Sequence, residues 1–209
     1  MKINRSTSLP LDKFIEWALY DKNSGYYMKK NPFGKEGDFI TSPNITRLFS
    51  EIIAIWVITF WKSIGSPKKF NLLELGAGNG EMMRVITETL KNFPECFDAC
   101  NFMIHEKSNF LINQQKKNLN SEKISWIKNV KKINSYPTLY LANEFFDAIP
   151  IKQFFKKKEG WVERFVELKN LKKAEFKDQK IDIKKLEQNL SFEISKNQNI
   201  IEYSPETFK

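Results

Sequence analysis

Cysteine and histidine are nearly absent from this chain. Its 209 residues include two cysteines, Cys96 and Cys100, and one histidine, His105. A structural zinc site needs four nitrogen or sulfur ligands, and a secreted disulfide frame needs several spaced pairs, so both are excluded. Arginine is scarce as well. Only Arg5, Arg47, Arg84 and Arg164 stand among the 34 basic residues, and the rest are lysines. The net charge of +9 could attract an anionic partner. Nucleic-acid phosphates, however, are read best by the planar fork of arginine. The lysines are also scattered among Asn, Ile and Phe, as a compositional bias would leave them, so no nucleic-acid partner is expected. A long apolar run is missing too. The best candidate, "EIIAIWVITFW" at Glu51–Trp61, has about eleven residues, short of the roughly 20 that a membrane span requires. "MKINRSTSLP" at the start carries no apolar stretch of the signal-peptide kind. The expectation is a cytoplasmic, bacterial-type protein without a signal or transit peptide.

What is present is enough for a core. Hydrophobic residues make up 41% of the chain, with 18 Phe among them. That length suits one domain, or one domain with an appendage. "LDKFIEWALY" at Leu11–Tyr20 spaces Phe14, Ile15, Ala18 and Leu19 as an amphipathic helix. A polar, glycine-bearing stretch follows from Asp21 to Pro43, too long for a simple connection and more typical of functional loops. A long apolar helix is expected at about Asn44–Ile64. Strands are then expected at Phe70–Leu75, Phe102–Glu106, Ile124–Ile127 and Leu139–Ala142. Helices lie between them at Gly80–Asn92 and about Asn109–Asn120. Such alternation predicts parallel βαβ units. From Ile151 the pattern changes: "IKQFF" and "WVERFVEL" flank "KKKEG" as an antiparallel hairpin, and a Lys-rich tail leads to "LSFEI". The expected segments are 1–66, a helical and covering portion; 67–150, a Rossmann-like half; and 151–209, a hairpin insertion with its tail.

"NLLELGAGNGEMMRV" holds the strongest chemical signal. Gly76, Gly78 and Gly80 follow directly on a strand. In a βα unit such glycines permit the sharp turn, leave room for a ligand and let helix and strand pack. Glu74 precedes the loop and Glu106 ends the next strand, where a carboxylate can accept both ribose hydroxyls of an adenosine. The spacing is GxGxG rather than the GxGxxG of dinucleotide sites, which disfavours an NAD-dependent dehydrogenase. The plain alternatives are a structural turn for the loop and a polar strand end for Glu106. His105 reads as a packing residue, and Cys96 and Cys100 as inert thiols.

"ELGAGNG" resembles the cofactor loop of class I S-adenosylmethionine-dependent methyltransferases. Together with "GYYMKKNPFGKEGDFITSP", "HEKSNFLINQQ", "LANEFFDAIPIKQF", "GWVERFVEL" and the late "IEYSP", it resembles the MidA-like methyltransferase family. That family includes a mitochondrial arginine methyltransferase needed for respiratory complex I assembly. The resemblance implies a Rossmann-like α/β fold, mostly parallel, with an N-terminal extension and a hairpin insertion, and S-adenosylmethionine as cofactor. By similarity Glu74, Gly76, Gly78, Gly80, Glu106, Trp126, Thr41 and Ser42 would bind the cofactor. Asp38, Asn143, Glu144 and Asp147 would serve catalysis, the last three by holding a guanidinium. The plainer reading of Glu144 and Asp147 is a pair of acids at a helix N-terminus, offsetting its dipole. Phe145 and Phe146 read equally as core or as a substrate wall.

The chain departs from the family words in places. Ala77 stands where proline is usual, Asn79 where arginine or a similar residue is, Asn44 where glutamate is, and "GEMM" replaces "GTLM". By count, the family's C-terminal strands are expected to be absent, since only four parallel strands are expected here. An open sheet edge of that kind asks for cover. Two functions are therefore weighed. One is methyl transfer to a protein arginine, for instance in a respiratory complex subunit. The other is a non-catalytic, methyltransferase-like binding or assembly protein. Either could self-associate or take a partner over the edge strand, and the isolated chain is expected to transfer methyl groups weakly or not at all.

Overall fold

Strands and helices alternate through the middle of the chain and give way to antiparallel strands at its ends. The computed structural model describes residues 6–29, 32–34, 37–119, 123–169 and 173–205. In order these contain β1 (Ser6–Pro10), α1 (Leu11–Tyr20), α2 (Tyr26–Lys29), α3 (Ser42–Ile45), α4 (Arg47–Ser63), β2 (Phe70–Leu75), α5 (Glu81–Leu90) and α6 (Pro94–Ala99). After them come β3 (Cys100–His105), α7 (Asn109–Asn118), β4 (Ile124–Ile127), β5 (Thr138–Leu141), β6 (Lys152–Lys157), β7 (Gly160–Lys169), β8 (Lys173–Lys180), α8 (Ile183–Leu190) and β9 (Ile200–Tyr203). Single 3₁₀ turns stand at Val130–Lys132 and Phe146–Ala148. No helix of the described residues is long and apolar enough to cross a membrane.

The chain divides into two compact units, Tyr27–Asp147 and a second made of Met1–Tyr26 with Ala148–Lys209. The expected boundary at 66 falls inside the first of these, because α4 is part of its core. Ala54, Val57, Ile58 and Trp61 of α4 pack with Met82, Met83, Ile86 and Leu90 of α5 over Phe70, Leu72, Phe102 and Ile104 of the sheet. The four strands run in the order β4-β3-β2-β5, all parallel. Both faces of β2 are covered, as parallel sheets require, which is why "FNLLEL" reads as a continuous run. Every strand expected here is found, β2 and β4 with the expected bounds and β3 and β5 shifted by one or two residues at their ends. The single helix expected from Asn44 is instead two. The backbone is extended at Thr46 (φ −147°, ψ 134°), whose hydroxyl accepts from Leu48 N and caps α4. Asn120, the expected end of the fourth helix, lies outside the described residues. Cys96 and Cys100 are buried and unpaired, and burial pushes the Cys96 thiol up to about 11, so both are inert as expected.

In the other unit β7 is the spine. β8 pairs along one edge, while β6 and β1 share the opposite edge, all antiparallel, and β9 extends β6. The hairpin expected after Ile151 is β6–β7. β1 and β8 carry no apolar alternation strong enough to announce them, and the Lys-rich tail is itself the strand β8. α1 lays Leu11, Phe14, Ile15 and Trp17 on Val166 and Leu168. α8 packs Leu186 and Leu190 on Phe154 and Ile201. "LSFEI" forms no strand: α8 ends at Leu190, and Ser191 turns left-handed at φ 58°.

Candidate cofactor and substrate site

Parallel strands place all their carboxyl ends on one edge, and ligands of open α/β sheets sit where the strand order reverses. In the order β4-β3-β2-β5 the chain leaves β2 first for β3 and later returns to the other side of β2. The crevice beyond β2 and β5 is therefore the expected place. The glycine loop leaves β2 there, and Asn143–Asp147 leaves β5.

The glycine loop is held in a left-handed conformation at alternate residues, with φ of 67° at Gly76, 55° at Gly78 and 85° at Gly80. A side chain would strain the first two, and each would also meet an aromatic ring. A Cβ on Gly76 would lie 2.6 Å from Cδ2 of Phe145, and one on Gly78 3.1 Å from Cδ2 of Phe33. Gly76 N donates to His105 O at 2.9 Å, which ties the loop to the end of β3. Gly80 caps α5. His105 itself bonds Ile127 O through Nδ1, a packing role as expected.

A cavity of about 90 Å³ opens between these segments. Its walls come from the glycine loop with Glu74 and Met82, from Asn143, Glu144 and Asp147, and from the covering stretch with Tyr27, Phe33, Phe39, Thr41, Pro43 and Asn44. Three acidic side chains thus line it, and no cationic side chain stands among the described lining residues. Glu74 is 3% exposed, and its Oε2 is buried without a hydrogen bond. Burial and, secondarily, the charge of Glu106 push its carboxyl up to about 8, although the amide of Met83 donates to it. Glu144 is held at a left-handed φ of 48°, a conformation rare for a non-glycine residue and characteristic of functional loops.

The described residues of the covering stretch are tied by bonds of their own. Gly34 N donates to Phe39 O at 3.0 Å and Phe39 N to Pro32 O at 2.9 Å, while the rings of Tyr27 and Phe33 stack. Asn44 Nδ2 donates to Thr41 Oγ1, and Asn79 Nδ2 donates to Asn44 Oδ1, both at 2.8 Å. Two positions that depart from the family words are therefore bonded to each other.

Other expected residues lie beside the cavity rather than on it. Glu106, one residue past β3, accepts from Ser108 N at 2.9 Å and from Gln115 Nε2 at 3.3 Å. Its carboxyl is pushed up by burial, against the opposing pull of those donors. Trp126 on β4 is half-buried and donates its indole N–H to Gln115 Oε1 at 2.8 Å. Ser42 opens α3, and Asp38 is exposed and not among the lining residues. Sequence reasoning missed Gln115, Phe33 and Tyr27. The signal for Gln115 was a polar residue on the inward stripe of α7, with Leu111 four residues before it and Leu119 four after.

The site suits a ligand that is cationic and carries an adenosine. Glu74 offers a buried oxygen without a hydrogen bond, the left-handed glycines leave three positions of the loop without side chains, and Glu106 is a carboxylate held by donors. A dinucleotide diphosphate would instead meet the acids Glu144 and Asp147, with no cation among the described lining residues.

Comparison with known proteins agrees. The family model described as "Putative S-adenosyl-L-methionine-dependent methyltransferase" matches residues 52–209. Protein arginine methyltransferase NDUFAF7, mitochondrial, is 30% identical in Homo sapiens, covering 80% of this chain and 43% of the relative. The Xenopus laevis protein of the same name is 29% identical, covering 80% of this chain and 44% of its own. A crystal structure from Burkholderia thailandensis with S-adenosyl-homocysteine bound superimposes with a TM-score of 0.72 at 22% identity, over 88% of this chain and 49% of the other. The chain spans less than half the length of these curated relatives.

Proposed function

This chain belongs to that S-adenosylmethionine-dependent methyltransferase family, and from this we propose that it binds S-adenosylmethionine beyond β2 and β5 and methylates a protein arginine. The observation that carries the reading is the crevice itself, with Glu74, Glu144 and Asp147 facing one cavity and no cation among its described lining residues. Both the cofactor, with its ammonium and sulfonium, and a guanidinium are cations that such walls favour.

Gly76 and Gly78 would let the cofactor approach the backbone, Glu106 would take its ribose hydroxyls, and Trp126 would border its adenine. Thr41 and Ser42 supply hydroxyls for its carboxylate end. S-adenosylmethionine supplies a methyl group on a sulfonium, whose sulfur leaves with the bonding pair. The part left to the chain is to orient the attacking nitrogen and receive its proton. Asn143 would orient that nitrogen, and Glu144 and Asp147 would hold the guanidinium and receive its proton, since positioning is most of the catalysis in such a displacement. A subunit of a respiratory complex is the acceptor that the resemblance suggests.

One observation favours a second reading, a binding protein without catalysis. The cavity's 90 Å³ is well below the roughly 300–1,000 Å³ of ligand pockets. Calorimetry with S-adenosyl-homocysteine and with NAD, followed by labelled methyl transfer to an arginine-rich protein, separates the readings. Binding of the first with transfer supports the enzyme; binding without transfer supports the second reading; NAD binding alone would overturn both.

A further inference from the structure

Gln115 is fully buried, yet it is a polar residue in the middle of α7. A buried amide is costly unless its groups are paired, and here they are. Nε2 donates to Gly78 O at 2.9 Å and to Glu106 Oε2 at 3.3 Å, and Oε1 accepts from Trp126 Nε1 at 2.8 Å. The indole can only donate, so it fixes which end of the amide is oxygen and directs both amide hydrogens at the loop carbonyl and the carboxylate. One side chain thus joins the glycine loop, the residue past β3 and the aromatic of β4. A neighbouring strap repeats the pattern: Asn118 Nδ2 donates to Asn79 O at 3.0 Å. Ser108, which caps α7 by accepting from Leu111 N, donates its own backbone N–H to Glu106. The same helix therefore holds both the loop and the carboxylate.

We propose that Gln115 is a positioning residue for cofactor binding, fixing the Glu106 carboxylate and the Trp126 indole in register with the glycine loop. The proposal rests on the reading that the adenosine lies along that loop. Gln115 does not line the cavity, so it acts through Glu106, Gly78 and Trp126 rather than by touching the ligand. A residue kept only to fill space would tolerate methionine, which preserves length and apolar volume but offers no donor.

The test uses the full chain and S-adenosyl-homocysteine, measured by calorimetry in wild type, Gln115→Met, Glu106→Gln and the double variant. Gln115→Met should lose roughly tenfold in affinity, the scale of one charge-assisted hydrogen bond. The double variant should lose little more than Glu106→Gln alone, because the two residues act as one unit. Without ligand, the emission of Trp126, taken as the difference from a Trp126→Phe background, should shift in Gln115→Met as its indole loses its acceptor. Unchanged affinity in a folded Gln115→Met, or strictly additive losses, would overturn the proposal while leaving the cofactor reading intact. A wild-type chain that binds no S-adenosyl-homocysteine would overturn that reading and the proposal with it. If Gln115→Met fails to fold, Gln115→Glu replaces it. There the Trp126 acceptor remains but a second carboxylate faces Glu106, so affinity must fall, and undiminished binding would again overturn the proposal.

Discussion

Asn79 Nδ2 donates to Asn44 Oδ1 at 2.8 Å, linking the glycine loop to the start of the covering helix α3. The resemblance places a basic residue at the first position and an acidic one at the second. In this chain a neutral amide pair joins the two departing positions. Changing one side only should break the amide bond and leave the new charge without its designed partner. Asn44→Glu alone and Asn79→Arg alone should each cost about 1–2 kcal/mol, while the double variant should recover most of that loss. Urea unfolding of the four proteins gives the coupling, and additive losses would mean that the pair is incidental.

Gly78 makes a sharper test of the loop. Its φ of 55° would cost a side chain about 1–2 kcal/mol, and a Cβ there would press on Phe33 at 3.1 Å. Gly78→Val should abolish S-adenosyl-homocysteine binding and lower the melting temperature while keeping the far-UV dichroism of the fold. Unaltered affinity would reduce the loop to a turn.

The loop was legible because glycines after an apolar run mark a βα turn wherever they occur, and the central strands β2 and β3 were legible because they are buried almost throughout. What could not be read was set by partners distant in sequence. Gln115 looks like an ordinary surface residue until Trp126 and Gly78 are brought to it. β1 is a strand because β7 offers an edge, not because "STSLP" favours one. Asp38, chosen from a recurring word, stands exposed and off the cavity wall, since a word records company in sequence rather than the direction of a side chain.

Glu106 should matter more than a polar strand end would. Glu106→Ala removes the proposed acceptor of the ribose hydroxyls and also strands the donors of Ser108 and Gln115. Bonds to a charged group are worth roughly 1.5–3 kcal/mol, so affinity for S-adenosyl-homocysteine should fall at least about tenfold. A loss below about threefold would return Glu106 to the surface reading.

Glu74 should make stability depend on pH in the direction opposite to a salt-bridged acid. Burial lifts its carboxyl from the ordinary 4.5 to about 8, so between those values the folded chain holds a proton that the unfolded chain has released. Stability contributed by the protonated form is present below about 4.5 and is lost as pH rises towards 8. Glu74→Gln should flatten that fall, with Glu106 supplying a residual slope of the same sign because burial raises it too. Chemical unfolding at pH 6 and pH 8 decides it: equal slopes in both proteins would show that Glu74 is not held protonated.

Glu144 and Asp147 separate the acceptor from the cofactor. Both line the cavity, and among the described residues neither side chain makes a hydrogen bond or ion pair, as expected of groups kept for a ligand. Asp147 stands in the short 3₁₀ turn Phe146–Ala148, and a dipole-offsetting role there would be worth only ~0.3–1 kcal/mol. Glu144 lies before that turn in a left-handed conformation, a cost that helix capping does not explain. Glu144→Gln and Asp147→Asn keep shape and remove charge. If they hold a guanidinium, each should weaken methyl transfer to an arginine-containing protein by roughly tenfold or more, the scale of one charge-assisted contact. Binding of S-adenosyl-homocysteine should change far less, since that ligand has lost the sulfonium charge and contains no guanidinium. The pattern separates three causes. Transfer lost with cofactor binding intact places the two carboxylates at the acceptor. Both lost together places them at the cofactor. Neither lost, with stability lowered slightly, leaves them as acids at the start of a turn, and the arginine would then have to be held elsewhere.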